Sequence, residues 1–165
     1  MKNKIILIII NFTFLFTILV AQKVNEYEYL KKYAGEYANK EVLGDSKINP
    51  ILRNMMGNEY DHLISNLDVT GPIDLINGSV VISGNARHRG GEEMAIIDIT
   101  LYTGIIRAAI ASHGKIIIYS DKMKYDKYID KDNYAQLPSS ILNFITSCNS
   151  NRMNIMKKPN NVIIK

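Results

Sequence analysis

The chain has 165 residues, 47% of them hydrophobic and 22% charged, with 20 lysines and arginines against 16 acids and a formal net charge of +4. That is the length of one domain, and the composition excludes a chain that is disordered throughout, a collagen and a multi-span membrane protein. A lone cysteine, Cys148, excludes an internal disulfide and a multi-cysteine metal cage; it reads as a small buried hydrophobe or as half of a cross-chain disulfide.

Lys2 and Lys4 precede an apolar run from Ile5 to Ala21 that only Asn11, Thr13 and Thr17 interrupt. A basic start, a short apolar stretch and a small residue at its end predict a signal peptide over residues 1–21, cut after Ala21. Leu19 is bulky for the third residue before such a cut, and an uncleaved anchor helix is the alternative, although the run is short of the ~20 apolar residues of a span. Once the signal is cleaved, no stable membrane span is expected, and the protein is periplasmic or secreted. The other concentration of positive charge is the stretch 150–165, which holds Arg152, Lys157, Lys158 and Lys165 and no acid. The body between, residues 22–149, is close to neutral, so no nucleic-acid partner is expected.

Residues 26–43 read as a helix with Leu30, Tyr33, Tyr37 and Ala38 on its buried face. Asn49-Pro50 starts a second, carrying Ile51, Leu52, Met55 and Met56 and stopping at Gly57. Asn58 caps a third, with Tyr60, Leu63, Ile64 and Leu67 inward. After Gly71-Pro72 the period changes. Asn77-Gly78 joins the strands 73–76 and 79–83 as a hairpin. A strand over 93–101 puts Ala95, Ile97, Ile99 and Leu101 on one face and Met94, Ile96, Asp98 and Thr100 on the other, wetter one. Thr103-Gly104 and His113-Gly114 are the next turns, around strands 105–112 and 115–120. Asp121 to Tyr134 is a polar loop or a frayed edge. Pro138 opens a last helix with Ile141, Leu142, Ile145 and Cys148 on one face. The segment 150–165 is a basic, disordered tail, or contributes Val162, Ile163 and Ile164 as a short edge strand. The expected fold is α+β: a single domain with a five-stranded antiparallel meander sheet flanked by helices, which pack on one of its faces.

One connection is longer than a tight turn needs. Gly84-Asn85-Ala86-Arg87-His88-Arg89-Gly90-Gly91 lies between Ser83 and Glu92, bracketed by glycines and carrying three potential cations at its tip. Arginine offers a fixed fork of donors, and histidine turns cationic beside a carboxylate. With no nucleophile in it, the loop suits binding of clustered carboxylates or phosphates rather than catalysis. The alternative is a flexible hairpin loop whose charges serve solubility.

At this loop the chain resembles the periplasmic inhibitors of vertebrate lysozyme, the Ivy family. Their protruding loop has the pattern Cys-Lys-Pro-His-Asp-Cys followed by Gly. His88 stands at the histidine and Gly91 at the glycine that follows; Asn85 and Gly90 stand at the cysteines, Ala86 and Arg87 at Lys-Pro, and Arg89 at Asp. The similarity extends in element order from about Tyr29 to Ser120. The resemblance implies a non-enzymatic inhibitor of a c-type lysozyme. Its His88 would hydrogen-bond the catalytic carboxylates in the cleft, with Asn85, Arg87, Arg89, Gly90 and Gly91 as the partner-binding surroundings. It also implies a homodimer. The missing cysteine pair means that this loop must be ordered by other means or pay entropy at binding. Neighbouring surface, such as the turns at Thr103 and His113, is expected to join the contact.

Other constellations point less far. His62, His88 and His113 are the only histidines and could form an open zinc site, but their spacing fits no ligand motif. His62, beside Asp61, reads as solvated. Glu92, Glu93 and Asp98 could do acid–base work, but the two adjacent glutamates point to opposite faces and rather steady the basic loop electrostatically. Asn77-Gly78-Ser79 matches a glycosylation acceptor that its turn role explains. No Gly-x-Ser-x-Gly elbow, P-loop or dinucleotide fingerprint occurs, and neither a cofactor nor a resident metal is expected. The remaining alternatives are an exported binding module for another anionic protein or ligand and, more remotely, a metal-dependent hydrolase.

Overall fold

The computed structural model describes residues 26–121, 134–149 and 159–165. The expected signal peptide, most of the polar 121–134 stretch and residues 150–158 lie outside the described residues.

The N-terminal third is helical in short pieces. A 3-10 segment, Glu28–Tyr33, is followed by α1 (Asn39–Leu43), α2 (Ile48–Met56), a 3-10 turn over Gly57–Glu59 and α3 (Tyr60–Ser65). The single helix expected over 26–43 is therefore two. Gly35, at φ +83°, turns the chain out of the helix. There the backbone pairs with Ile73 instead: Gly35 N–H donates to the Ile73 carbonyl at 2.8 Å, and Ile73 N–H to that of Glu36 at 2.9 Å. Tyr37, expected on the buried face, is 76% exposed as a result. α2 starts before the expected Asn49-Pro50, where the Asp45 side chain takes up backbone donors at the helix start: its Oδ1 accepts Lys47 N–H at 2.8 Å and Ile48 N–H at 3.3 Å. Ile48, Leu52 and Met56 form its buried stripe.

The sheet strands are β1 (Val69–Thr70), β2 (Asp74–Ile76), β3 (Ser79–Asn85), β4 (Glu93–Thr100), β5 (Ile105–Ser112), β6 (Lys115–Ser120) and β7 (Val162–Ile164). Their order is β1-β3-β4-β5-β6-β7, with β2 sharing the outer edge of β3 with β1. The meander β2–β6 is antiparallel, as its tight turns require; β7 joins β6 in parallel. The two strands beyond the expected five are short edge pieces, β1 of two residues and β7 of three. The α+β architecture holds.

Helices cover both faces of the sheet, not one. Against one face pack Leu30, Val42, Ile48, Leu52 and Leu63, meeting Val80, Ile82, Ile97, Ile99, Ile106 and Ile110. Against the other packs α4 (Ser139–Cys148), whose Ile141, Phe144 and Ile145 meet Ile96, Ala109, Ile116, Ile118 and Val162. A strand buried on both faces reads as an apolar run rather than an alternation, as Ile105–Ala111 does save for Arg107. The face expected to be wet is therefore dry. Asp98 on it is fully buried, accepts hydrogen bonds from the Ser140 and Thr100 hydroxyls, and pairs across strands with Arg107. Cys148 is a free, partly buried thiol against this second core, beside Met94.

Candidate functional site

β3 and β4 diverge after the Asn85–Met94 pair, and residues 86–92 cross between them. Ala86 N–H donates to the Glu93 carbonyl at 3.0 Å and closes the base. Two successive turns build the loop above it. Arg89 N–H donates to the Ala86 carbonyl at 3.1 Å, which places His88 third in a four-residue turn at φ +59°. Glu92 N–H then donates to the Arg89 carbonyl at 3.1 Å, with Gly91 at φ +87° in the corresponding place. Gly91 takes its conformation freely; His88 takes it against a steric cost.

The loop cations are distinguished by their partners. Arg87 Nε donates to Asp68 Oδ2 at 3.1 Å, tying the loop to the chain entering β1. The Arg89 guanidinium lies 3.9 Å from Glu92 Oε2 and 3.8 Å from Glu93 Oε1. His88 is exposed and, among the described residues, makes no hydrogen bond or ion pair. The free chemistry at the tip is therefore one imidazole, while both arginines brace the loop and remain largely exposed. Gly90 packs beside Asn85: a Cβ on Gly90 would lie 3.7 Å from Asn85 Cγ.

Below the loop lies a constellation that the sequence reading missed. Glu93, at the start of β4, has a side chain only 5% exposed. Its Oε2 accepts from His62 Nε2 at 2.8 Å and Asn66 Nδ2 at 3.1 Å; its Oε1 accepts from Ser112 Oγ at 2.7 Å and faces His113 Nδ1 at 3.2 Å. Burial alone would raise the Glu93 pKa, but the hydrogen bonds from His62, Ser112 and Asn66 and the charge of His62 outweigh it and hold the carboxyl at about 2. For His62 burial alone would lower the pKa, and the hydrogen bonds to Glu93 and Glu59 raise it instead. His62 is thus paired rather than solvated. Its partners come from segments far apart in the chain, so no local motif could reveal them; the legible part was that a carboxylate at this strand start steadies the loop.

His113, at φ +48° in the β5–β6 turn, stands at the loop's end of the sheet and is well exposed. The Thr103 turn, expected beside it, stands at the other end, because successive hairpins of a meander alternate ends. A cleft of about 700 Å³ runs between the loop, α3 and this turn, with Arg87, Arg89, Glu93 and His113 in its wall. His62 and His113 both meet Glu93, whereas His88 makes no such contact among the described residues. Among the described residues no group of His, Cys, Asp or Glu side chains is arranged to hold a metal ion, and no helix is long and apolar enough to cross a membrane.

A family model described as inhibitor of vertebrate lysozyme (Ivy) matches residues 47–147, more than half of the chain, from the start of α2 to the end of α4 and including the whole loop. Searches of curated proteins and of solved structures gave no match.

Proposed function

This chain belongs to the family of inhibitors of vertebrate lysozyme, and we propose that it is an exported, non-enzymatic inhibitor of a c-type lysozyme whose 86–92 loop enters the enzyme's cleft. The observation that carries the reading is His88: exposed, without a partner among the described residues, and lifted on a strained turn while its neighbours are tied down. Retaining glycosidases hold two carboxyl groups about 5 Å apart across the scissile bond. An imidazole inserted between them donates from both nitrogens, and the ionised carboxylate keeps it charged. Substrate is then excluded by occupation of the site, without any bond being made or broken.

A seven-residue loop is too small to bury the ~800 Å² per partner of a stable complex. The His113 turn and the Asp68 segment flank the loop and supply the rim. His88 is the hot spot, and Arg87 and Arg89 preorganise it and bound the contact. The basic, then apolar, start of the sequence supports export to where lysozyme acts.

The test is clearing of bacterial cell walls by a vertebrate c-type lysozyme in the presence of the purified protein. The wild type protects at micromolar concentration, and His88→Ala weakens protection by about 30-fold or more, the size of a hot-spot truncation. Folded wild-type protein that gives no protection would leave the chain a binding module for another anionic partner. Undiminished protection by His88→Ala would discard the insertion mechanism.

A further inference from the structure

We propose that His62, acting through the buried carboxylate of Glu93, is a positioning residue for the 86–92 loop, and that the charge on its imidazole keeps the loop base in place. This rests on reading the loop as the inhibitory element, but the geometry stands without lysozyme. Glu93 acts twice. Its backbone closes the loop, donating to the Arg89 carbonyl at 3.0 Å and accepting from Ala86 N–H at 3.0 Å. Its side chain is the anchor on which His62, Asn66 and Ser112 converge.

His62 stands between two carboxylates. Its Nε2 is 2.8 Å from Glu93 Oε2, and its Nδ1 is 3.2 Å from Glu59 Oε2. A carboxylate oxygen only accepts, and a neutral imidazole carries one N–H. The neutral ring therefore leaves one nitrogen lone pair against a carboxylate oxygen, whichever tautomer it takes. Only the imidazolium satisfies both sides. The charged or titratable groups facing the pair are Glu59 from the 3-10 turn, Arg89 from the loop and His113 from the β5–β6 turn, with Glu92 reached through Arg89. Asn66 and Ser112 are neutral donors. When His62 loses its proton, Glu93 loses its one charge-assisted bond from the helical layer, and the strand start that holds the loop base is freed on that side. The raised pKa of His62 has the direction this coupling requires.

Nuclear magnetic resonance of the purified protein tests the proposal. The imidazole carbon–proton signals give each histidine's midpoint. Protection factors of the Arg89, Glu92 and Glu93 amides, each hydrogen-bonded within the loop, report its order. We expect the His62 midpoint above 6.5, and loop protection falling through that same midpoint by up to tenfold per unit of excess. His62→Gln gives low, pH-flat protection; His62→Arg restores protection without the step; His113→Asn leaves the step in place. Protection that stays level while His62 titrates overturns the proposal. So does a wild-type step in His62→Gln, or a step that follows His113 and vanishes in His113→Asn. Failure of lysozyme inhibition would touch none of these readings, so the two proposals fail separately.

Discussion

His88 sits at φ +59°, a conformation that costs a non-glycine residue roughly 1–2 kcal/mol, at a turn position where glycine is the relaxed choice. The exposed tip has no partner among the described residues to repay that strain, which points to a return at an interface. His88→Gly is expected to leave the urea midpoint unchanged or raised while abolishing inhibition; a lowered midpoint would show that the side chain supports the fold. The histidine and its bracketing glycines were visible in the sequence because everything that shapes the turn is local. Glu93's hub was not: His62 lies 31 residues away and Ser112 lies 19 away. It makes stability depend on pH in two directions. The Glu93 pKa, lowered from 4.5 to about 2, stabilises above 4.5, and that gain is lost as pH falls toward 2. The His62 pKa, raised above 6.5, stabilises below 6.5, and that gain is lost as pH rises through the folded value. The denaturant midpoint should therefore be highest between pH 4.5 and 6.5, between the two losses, and His62→Gln should flatten the alkaline slope only.

At the scale of elements, the loop replaces a covalent staple with weaker ones: a closed base, two turns and arginine pairs to Asp68 and Glu93. The positions that match the family's cysteines, Asn85 and Gly90, do touch, with a Gly90 Cβ 3.7 Å from Asn85 Cγ. Cysteines introduced at both test whether the loop accepts a bridge, since a disulfide needs its Cβ atoms about 4 Å apart and the Asn85 side chain already lies against Gly90. The oxidised Asn85→Cys/Gly90→Cys protein should inhibit about tenfold more tightly than its reduced form, through slower dissociation, because less ordering remains at binding. Equal inhibition before and after reduction would show that the ion pairs already order the loop fully. The turns were legible for the same reason as the loop. Asn77-Gly78 and His113-Gly114 both adopt positive φ, and the dipeptides say so. The helix over 26–43 was misread because Gly35 pairs with Ile73, a contact that helical periodicity cannot express.

Across the whole molecule, the alternation of hairpin ends decides which groups can meet a partner together. The 86–92 loop and the His113 turn share one end, α3 closes its side, and the Thr103 turn is a sheet's length away. Cover on both faces makes the sheet a rigid mount. β3, β4 and β5 are buried over most of their length, so the loop projects from packed strands rather than from a mobile edge. That second cover was encoded in the apolar run of β5 and in α4, yet Asp98 disguised it. A buried carboxylate satisfied by Ser140 and Thr100 looks, in sequence, like a solvent-facing one. The central claim is that the His88 tip occupies the carboxylate-lined cleft. Competition measures it most directly: lysozyme binding is titrated at rising concentrations of a chitin oligosaccharide that fills the cleft. The account predicts an apparent dissociation constant that rises in proportion to the sugar, as for mutually exclusive ligands. A constant that does not change with sugar, with both ligands bound at once, would contradict it.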